Sequence, residues 1–166
     1  MKNIEYNDYS EYLVEQALLK AGFRVLAKDT YYFNGIACKL RSGPGRPPDL
    51  DFIAEIPCQK YVGVEVKNRL EYPKKREICD LINLCACLNL KPLLVARRVH
   101  PSVFSIVPRH KGYVCIFRRY ILQPELPREK FNEITKELGF PLSVYRYTPD
   151  FLVKELKKAK EYLAKN

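Results

Sequence analysis

The stretch RPPDLDFIAEIPCQKYVGVEVKN, residues 46–68, decides the predicted fold of this chain. It contains two short apolar runs, residues 50–56 and 61–66, and a turn with Pro57 lies between them. Each run carries acid where a buried strand normally carries none. We therefore predict two neighbouring strands that bring ionisable side chains to a sheet.

The directions of the side chains predict where these ionisable groups meet. Successive residues of a strand point to opposite faces, so Glu65 and Lys67 would share one face of the second strand. Asp49 and Asp51 would point to one side of the first strand, and in a hairpin one of them would lie beside the Glu65/Lys67 pair. Buried charges are costly unless they bind something, so this edge of the sheet is a predicted binding site. The alternative is a set of solvated charges at two strand ends.

Metal chemistry gives a reason for placing carboxylates beside an ammonium group. Mg²⁺ takes hard oxygen ligands, usually one or two carboxylates together with waters and substrate phosphates. A neighbouring lysine can orient the attacking water and offset negative charge in the transition state. The stretch is therefore interpreted as part of a magnesium site.

The order of these residues resembles a known motif. The chain resembles the PD-(D/E)xK nuclease superfamily, in which a Pro-Asp pair is followed by a spacer and then by an acid-x-Lys triplet. The corresponding residues here are Pro48-Asp49 and Glu65-Val66-Lys67. The resemblance implies hydrolysis of DNA phosphodiester bonds by a divalent-metal-dependent endonuclease, with Mg²⁺ or Mn²⁺ as the cofactor.

A second likeness lies near the N-terminus. Residues 10–25, SEYLVEQALLKAGFRV, resemble the first helix and strand of archaeal Holliday-junction resolvases. In those enzymes a glutamate eleven residues before a Gly-Phe pair completes the metal site, and Glu11 stands eleven residues before Gly22 here. The likeness covers about the first hundred residues. It implies a structure-specific enzyme that works as a homodimer, because a resolvase needs two sites to cut two strands.

The resemblance also implies a role for each residue of the site. Asp51 and Glu65 would hold the metal together with the carbonyl oxygen of Val66. Asp49 would be an auxiliary ligand or a rival of Asp51, which the resolvase pattern favours as the main ligand. Lys67 would position the nucleophilic water, and Glu11 would be an outer-shell or second-metal ligand. The implied catalytic residues are Glu11, Asp51, Glu65 and Lys67.

The charge of the chain favours a polyanionic partner. The net charge is +10 and the isoelectric point is near 9.3, and three basic groups flank the predicted site in the sequence. A merely solubilising surface is the alternative explanation. A non-catalytic nucleic-acid-binding module on the same fold is the alternative function, with the acids in a structural role. The residues predicted to contact DNA are Arg41, Arg46, Arg69, Lys74, Lys75, Arg97 and Arg98.

The periodicity along the chain predicts an α/β protein. The family resemblance implies a restriction-endonuclease-like core in the order αβββαβ, with a central mixed sheet flanked by helices. Residues 1–122 would form this nuclease-like domain, and residues 123–166 a C-terminal helical extension packed on the core. The predicted helices are residues 8–21, 73–90, 128–138 and 149–164. The second is apolar nearly all round, so we expect it to be buried on most sides. Further predicted strands are residues 23–27, 31–40, 92–96 and 113–122.

Cysteine usage and hydropathy bear on the compartment. The six cysteines include no Cys-x-x-Cys pair. We therefore interpret them as small apolar residues in a reducing cell. A disulfide is the alternative if the protein comes from a thermophile. No run approaches the roughly 20 apolar residues that cross a bilayer, and the acidic, polar N-terminus is unlike a signal peptide. A cytoplasmic protein without a membrane partner is expected.

Overall fold

A central sheet and surrounding helices make up the computed structural model, which describes residues 4–41, 45–139 and 142–166. No helix within these ranges is long and apolar enough to cross a membrane. The elements in chain order are α1 (Ile4–Ala21), β1 (Arg24–Thr30), β2 (Tyr32–Phe33), β3 (Ile36–Ala37), β4 (Leu50–Ile56), β5 (Lys60–Lys67), α2 (Lys75–Cys87), β6 (Lys91–Ala96), α3 (Val103–Arg109), β7 (Tyr113–Ile116), β8 (Tyr120–Leu122), α4 (Arg128–Leu138), β9 (Leu142–Val144) and α5 (Asp150–Lys165).

The central sheet has five strands in the order β1-β4-β5-β6-β7. β1, β4 and β5 are antiparallel neighbours, whereas β5, β6 and β7 run parallel. Parallel neighbours need a crossover connection, and α2 and α3 supply the two that this sheet requires. The predicted α/β class with a central mixed sheet is therefore confirmed.

Helices cover both faces of this sheet. α1 and α5 pack on one face, where Leu13 and Leu156 are completely or almost completely buried with Val64 of β5. α2 and α3 pack on the other face, where Leu81 is buried with Ile53 of β4. The sheet thus lies between two apolar layers, and polar groups on its faces are withdrawn from water unless they lie at its edges.

The first helix ends where its sequence predicts. Gly22 has a φ of +88°, a left-handed conformation that costs glycine little. The N–H of Gly22 donates to the carbonyl of Leu19 at 3.0 Å, and that of Phe23 donates to the carbonyl of Leu18 at 2.9 Å. These two bonds form the Schellman arrangement, which satisfies carbonyls at the helix end and turns the chain into β1.

The centre of β5 is shaped by its contact with α2. A Cβ atom at Gly63 would lie 2.5 Å from the Sγ of Cys85 and 2.9 Å from a methyl carbon of Leu50. The sulfur of Cys85 lies 3.8 Å from the carbonyl oxygen of Gly63. Glycine at this position therefore permits α2 to approach the strand that carries Glu65.

Two of the predicted strands differ in the structure. Residues 31–40 do not form one strand, because positive φ angles at Asn34 and Gly35 fold them into the small β2–β3 hairpin. Residues 113–122 are broken at Arg118, whose φ is +62°. As a result β7 stays in the central sheet, while β8 leaves it and pairs in parallel with β9.

The second helix is shorter and more exposed than predicted. It spans Lys75–Cys87 rather than residues 73–90, and its buried residues lie on one face. Cys79 and Cys87 are among its exposed positions, so the expectation that this helix is buried on most sides is wrong. A sequence that is apolar nearly all round did not reveal which face meets the sheet.

The last helix is joined closely to the remainder of the chain. Its predicted apolar stripe is buried in the same layer as α1. The ammonium groups of Lys60 and Lys91 donate to the carbonyls of Ala164 and Leu163, the second at 2.8 Å. Cations near the end of a helix also interact favourably with its dipole. The buried stripe consists of Leu152, Leu156, Ala159 and Leu163.

The cysteines serve more than one purpose. Cys38 and Cys87 form a disulfide that links the segment after β3 to the end of α2. The interpretation of all six as small apolar residues is therefore wrong for this pair. It fits Cys85 and Cys115, which are buried, but not the two exposed free thiols, Cys58 and Cys79.

Candidate active site

The β4–β5 hairpin brings the predicted carboxylates and lysine together. Its register pairs Phe52 with Val64, so Asp51 lies across from Glu65. The Nζ of Lys67 donates to Oε1 of Glu65, and both side chains are only about one-seventh exposed, at 13% and 14%. The strand pair therefore holds the carboxyl groups of Asp51 and Glu65 and the ammonium group of Lys67 in a place that is largely shielded from water.

The backbone fixes the orientation of Asp51. The N–H of Val66 donates to Oδ2 of Asp51 at 2.6 Å. This is a charge-assisted bond, which is stronger than a bond between neutral groups. Because Val66 lies between Glu65 and Lys67, the same bond couples the position of Asp51 to both of those side chains.

Glu11 joins this group from the first helix. Carboxylate oxygens of Glu11, Asp29 and Asp51 all lie within 4.8 Å of one another. Three carboxylates at this separation supply the hard oxygen ligands that Mg²⁺ or Mn²⁺ prefers. The structure thus brings Glu11 to the strand-borne residues, as the sequence predicts.

Asp29 is a member of the group that the sequence analysis missed. β1 pairs Lys28 with Phe52 and Thr30 with Leu50, so Asp29 lies across from Asp51. The predicted strand ended at residue 27 and left Asp29 outside it. The available signal was an acid two residues beyond the predicted end of the first strand. It gains meaning only when the strand continues to Thr30, because Asp29 then lies directly across from Asp51.

Burial controls the ionisation of the two central acids. Desolvation raises the pKa of Asp51 to about 6, against the opposing effect of Lys67. Desolvation, reinforced by the charge of Asp51, raises the pKa of Glu65 to about 8. Burial alone would lower the pKa of Lys67, but the facing Glu65 and Asp51 outweigh it and raise that pKa. One ammonium does not fully compensate the carboxyl groups, and a divalent cation would complete the compensation.

Asp49 lies close enough to Asp51 and Glu65 for its charge to raise the pKa of both. It forms an ion pair with Arg46, and it lines a cleft of about 140 Å³. Glu65 opens into the same cleft, so the cleft connects Asp49 with the site. The other lining residues are Pro48, Glu77, Asp80, Leu81 and Leu84.

Acids beside the cleft pair with several of the predicted DNA-contacting residues. Arg41 pairs with Asp80, and Arg69 pairs with Glu77 at 2.6 Å. Lys74 and Lys75 are exposed at the start of α2. These cations, together with Arg46, lie around the cleft that reaches Glu65.

Arg97 and Arg98 are neighbours with different environments. Arg97 is only 5% exposed, and its Nε and Nη2 donate to the carbonyls of Arg69 and Leu70. Its guanidinium is engaged in holding the backbone, so we do not include it among the groups that contact a ligand. Arg98 is exposed, and its guanidinium lies over the ring of Tyr72 at 4.2 Å from the ring centre.

A pH dependence of stability follows from the raised pKa values. Between the ordinary carboxyl range near pH 4 and the raised values of about 6 and 8, the folded metal-free protein binds more protons than the unfolded chain. Its free energy of unfolding should therefore fall as the pH rises through this window, by at most about 1.4 kcal/mol per pH unit for each group. Urea unfolding in chelator at pH 5, 6.5 and 8 measures this effect.

The variant Glu65→Gln isolates the contribution of Glu65. It should depend less steeply on pH than the wild type between pH 5 and pH 8, because glutamine does not titrate. Glu55→Gln is the matched control on the same hairpin, since Glu55 pairs with Arg24 at the opposite end. Identical slopes for the wild type and Glu65→Gln would contradict the assigned ionisation.

Comparison of the chain with models of protein families, with curated proteins and with solved structures gave no match.

Proposed function

We propose that the protein is a divalent-metal-dependent endonuclease that hydrolyses DNA phosphodiester bonds. The observation that supports this most strongly is the convergence of three separate segments on one partly buried site. α1 contributes Glu11, β4 contributes Asp51, and β5 contributes the Glu65/Lys67 pair. Such a set of buried ionisable groups adds nothing to stability by itself, whereas it suits metal-assisted hydrolysis.

The order of the elements supports a restriction-endonuclease-like fold for this core. α1, β1, β4, β5, α2 and β6 follow one another as αβββαβ, with the short β2–β3 hairpin inserted after β1. The acids and the lysine are carried by the elements that the PD-(D/E)xK pattern requires. The assignment to that superfamily is part of the proposal.

The side chains of the site divide the work between them. Asp51, Glu65 and the carbonyl of Val66 would hold Mg²⁺ or Mn²⁺, and Glu11 and Asp29 would bind through its water shell or a second ion. The bound ion would supply Lewis-acid polarisation of the phosphate and a more acidic water. Lys67 would hold the attacking water in place and offset charge that develops on the phosphate oxygens. Water would form a bond to phosphorus as the P–O bond to the leaving strand breaks, while the attacking water loses a proton to the solvent and the leaving oxygen takes one up from it.

A non-catalytic nucleic-acid-binding module is the second candidate. The ion pairs Lys67–Glu65 and Arg69–Glu77 favour it, because acids that pair with lysine and arginine can be purely structural. Such a module would bind DNA in a salt-dependent manner, and binding would persist in chelator without any product. Cleavage therefore separates the two candidates.

A substrate panel tests the proposal. Single-stranded DNA, duplex, flap and four-way junction are incubated with Mg²⁺, Mn²⁺ or chelator, using the wild type, Glu65→Gln and the control Glu55→Gln. We expect cleavage by the wild type and the control that requires metal and is lost in Glu65→Gln. Junction cleavage would further require a homodimer, which light scattering measures. Binding without product under every metal condition would favour the non-catalytic module.

A further inference from the structure

Two loops leave the sheet together beside the candidate active site. β5 and β6 are parallel, and Lys67 is paired with Ala96 at their ends. The N–H of Arg97 donates to the carbonyl of Lys67 at 3.0 Å, which continues the pairing one step further. The residues that follow Lys67 and those that follow Ala96 therefore emerge side by side. Ligands of open sheets with parallel strands bind at this carboxyl end.

Buried polar groups hold the first of these loops. The amide nitrogen of Asn68 donates to the carbonyl of Ile121 at 2.9 Å, and the amide oxygen accepts from the N–H of Ile121 at 3.0 Å. Arg97 donates to the next two carbonyls, those of Arg69 and Leu70. Asn68 and Arg97 are 2% and 5% exposed. The loop is thus preorganised from its first residue.

This rigid loop presents an aromatic ring to solvent. Tyr72 is 41% exposed and belongs to neither of the two apolar layers of the core. The guanidinium of Arg98 lies over its ring at 4.2 Å, and the ring of His100 meets it edge-on with centroids 6.1 Å apart. Nδ1 of His100 is 2.8 Å from the hydroxyl of Ser102. Three planar groups from two loops are therefore assembled at one exposed place.

The composition of this cluster points to a planar, weakly polar ligand attached to an anion. Aromatic rings and guanidinium planes stack on nucleobases, whatever the base. Arg69, Lys74 and Lys75 belong to the same stretch of chain and suit the phosphates on either side. A base inside a duplex is stacked between its neighbours and has no free face, so the ligand must be an unpaired base.

We propose that Tyr72, Arg98 and His100 form a stacking platform for an unpaired nucleobase of the DNA substrate. This inference rests on the proposed function for the identity of the substrate, and it narrows that substrate to DNA with unpaired bases near the cleaved phosphate. Single strands, flaps and junctions with open bases belong to this class, whereas blunt duplex does not.

A fluorescence experiment tests the platform directly. The chain contains no tryptophan, so Tyr72→Trp introduces a single tryptophan at the platform, whose emission is separated from that of the tyrosines by excitation at the long-wavelength edge of the tryptophan band. In chelator, a single-stranded oligonucleotide should quench this emission, and a blunt duplex should quench it much less. Tyr147→Trp is the matched control, because Tyr147 is 83% exposed and lies outside the platform; its emission should not change. Binding of the single strand without quenching of Tyr72→Trp would overturn the proposal.

Affinity measurements provide a second and independent readout. Tyr72→Ala should bind a single-stranded oligonucleotide about 5- to 150-fold more weakly, whereas Tyr72→Phe should bind it normally. The slope of affinity against salt should stay unchanged, because no phosphate contact is removed. An oligonucleotide of abasic residues should bind the wild type and Tyr72→Ala equally. Equal affinity of both proteins for the intact oligonucleotide, or no binding at all, would overturn the platform.

The platform and the nuclease activity can fail separately. Metal-dependent cleavage with no effect of Tyr72→Ala on binding would leave the proposed function standing and reject the platform. Quenching of Tyr72→Trp by single-stranded DNA, with no cleavage under any metal, would retain the platform on a non-catalytic binding protein.

Discussion

Lys67→Met is expected to reduce metal-dependent DNA cleavage by roughly 10²- to 10⁴-fold, because it removes the ammonium that would position the water and offset transition-state charge. The side chain is 13% exposed and donates to Glu65, so it has little surface with which to grip DNA. Binding should therefore change far less than the rate. Single-turnover cleavage at saturating enzyme gives the rate, and titration in chelator gives the affinity.

The control for this variant removes an equal charge elsewhere. Lys157→Met changes an exposed lysine of α5, and it should cleave like the wild type. Urea unfolding of both variants shows whether they are folded under the assay conditions. A folded Lys67→Met protein that cleaves at the rate of the wild type would contradict the role proposed for Lys67.

Loss of the Cys38–Cys87 disulfide is expected to lower the free energy of unfolding of the oxidised protein by roughly 4 kcal/mol. The two residues are 49 apart in the sequence, so the bond closes a large loop and lowers the conformational entropy of the unfolded chain. Guanidinium unfolding of Cys38→Ala/Cys87→Ala, with and without reductant, measures this difference. The midpoint of the wild type should fall on reduction, and that of the double variant should not.

The free cysteines supply the control for the disulfide. Cys58→Ala/Cys79→Ala alters two exposed thiols and should leave the unfolding midpoint and its response to reductant unchanged. The disulfide also ties the segment before Asp49 to α2, which carries Asp80 and Glu77 of the cleft. An unfolding midpoint of the wild type that is indifferent to reductant would contradict the bond.

Local patterns were sufficient for much of the fold. Alternation along residues 50–67 predicted the hairpin, and Gly22 predicted the end of α1, because both depend on neighbouring residues alone. The grouping of Asp51, Glu65 and Lys67 followed from the same alternation. These features needed no knowledge of how distant segments pack.

Distant contacts could not be predicted in the same way. Asp29 belongs to the acidic group only because β1 continues to Thr30 and pairs with β4. Arg97 was expected to contact DNA from the surface, because it stands in a basic stretch of the sequence. Its guanidinium instead donates hydrogen bonds to backbone carbonyls of another loop, and the local sequence carries no sign of these bonds. Cys38 likewise pairs with Cys87 because the end of α2 packs next to the segment that follows β3. The deciding partners are distant in the sequence: Arg97 and Arg69 are 28 residues apart, and Cys38 and Cys87 are 49 apart.

The joint burial of α1 and α5 has a consequence for biosynthesis. The apolar face of β4, β5 and β6 is covered by α1, which precedes the sheet in the sequence, and by α5, which follows it; Leu163 of α5 is part of that cover. A nascent chain held in the ribosome cannot shield this face fully until α5 has cleared the exit tunnel. Translation must therefore pass through a stage with an open apolar surface, which is the kind of surface that general chaperones bind.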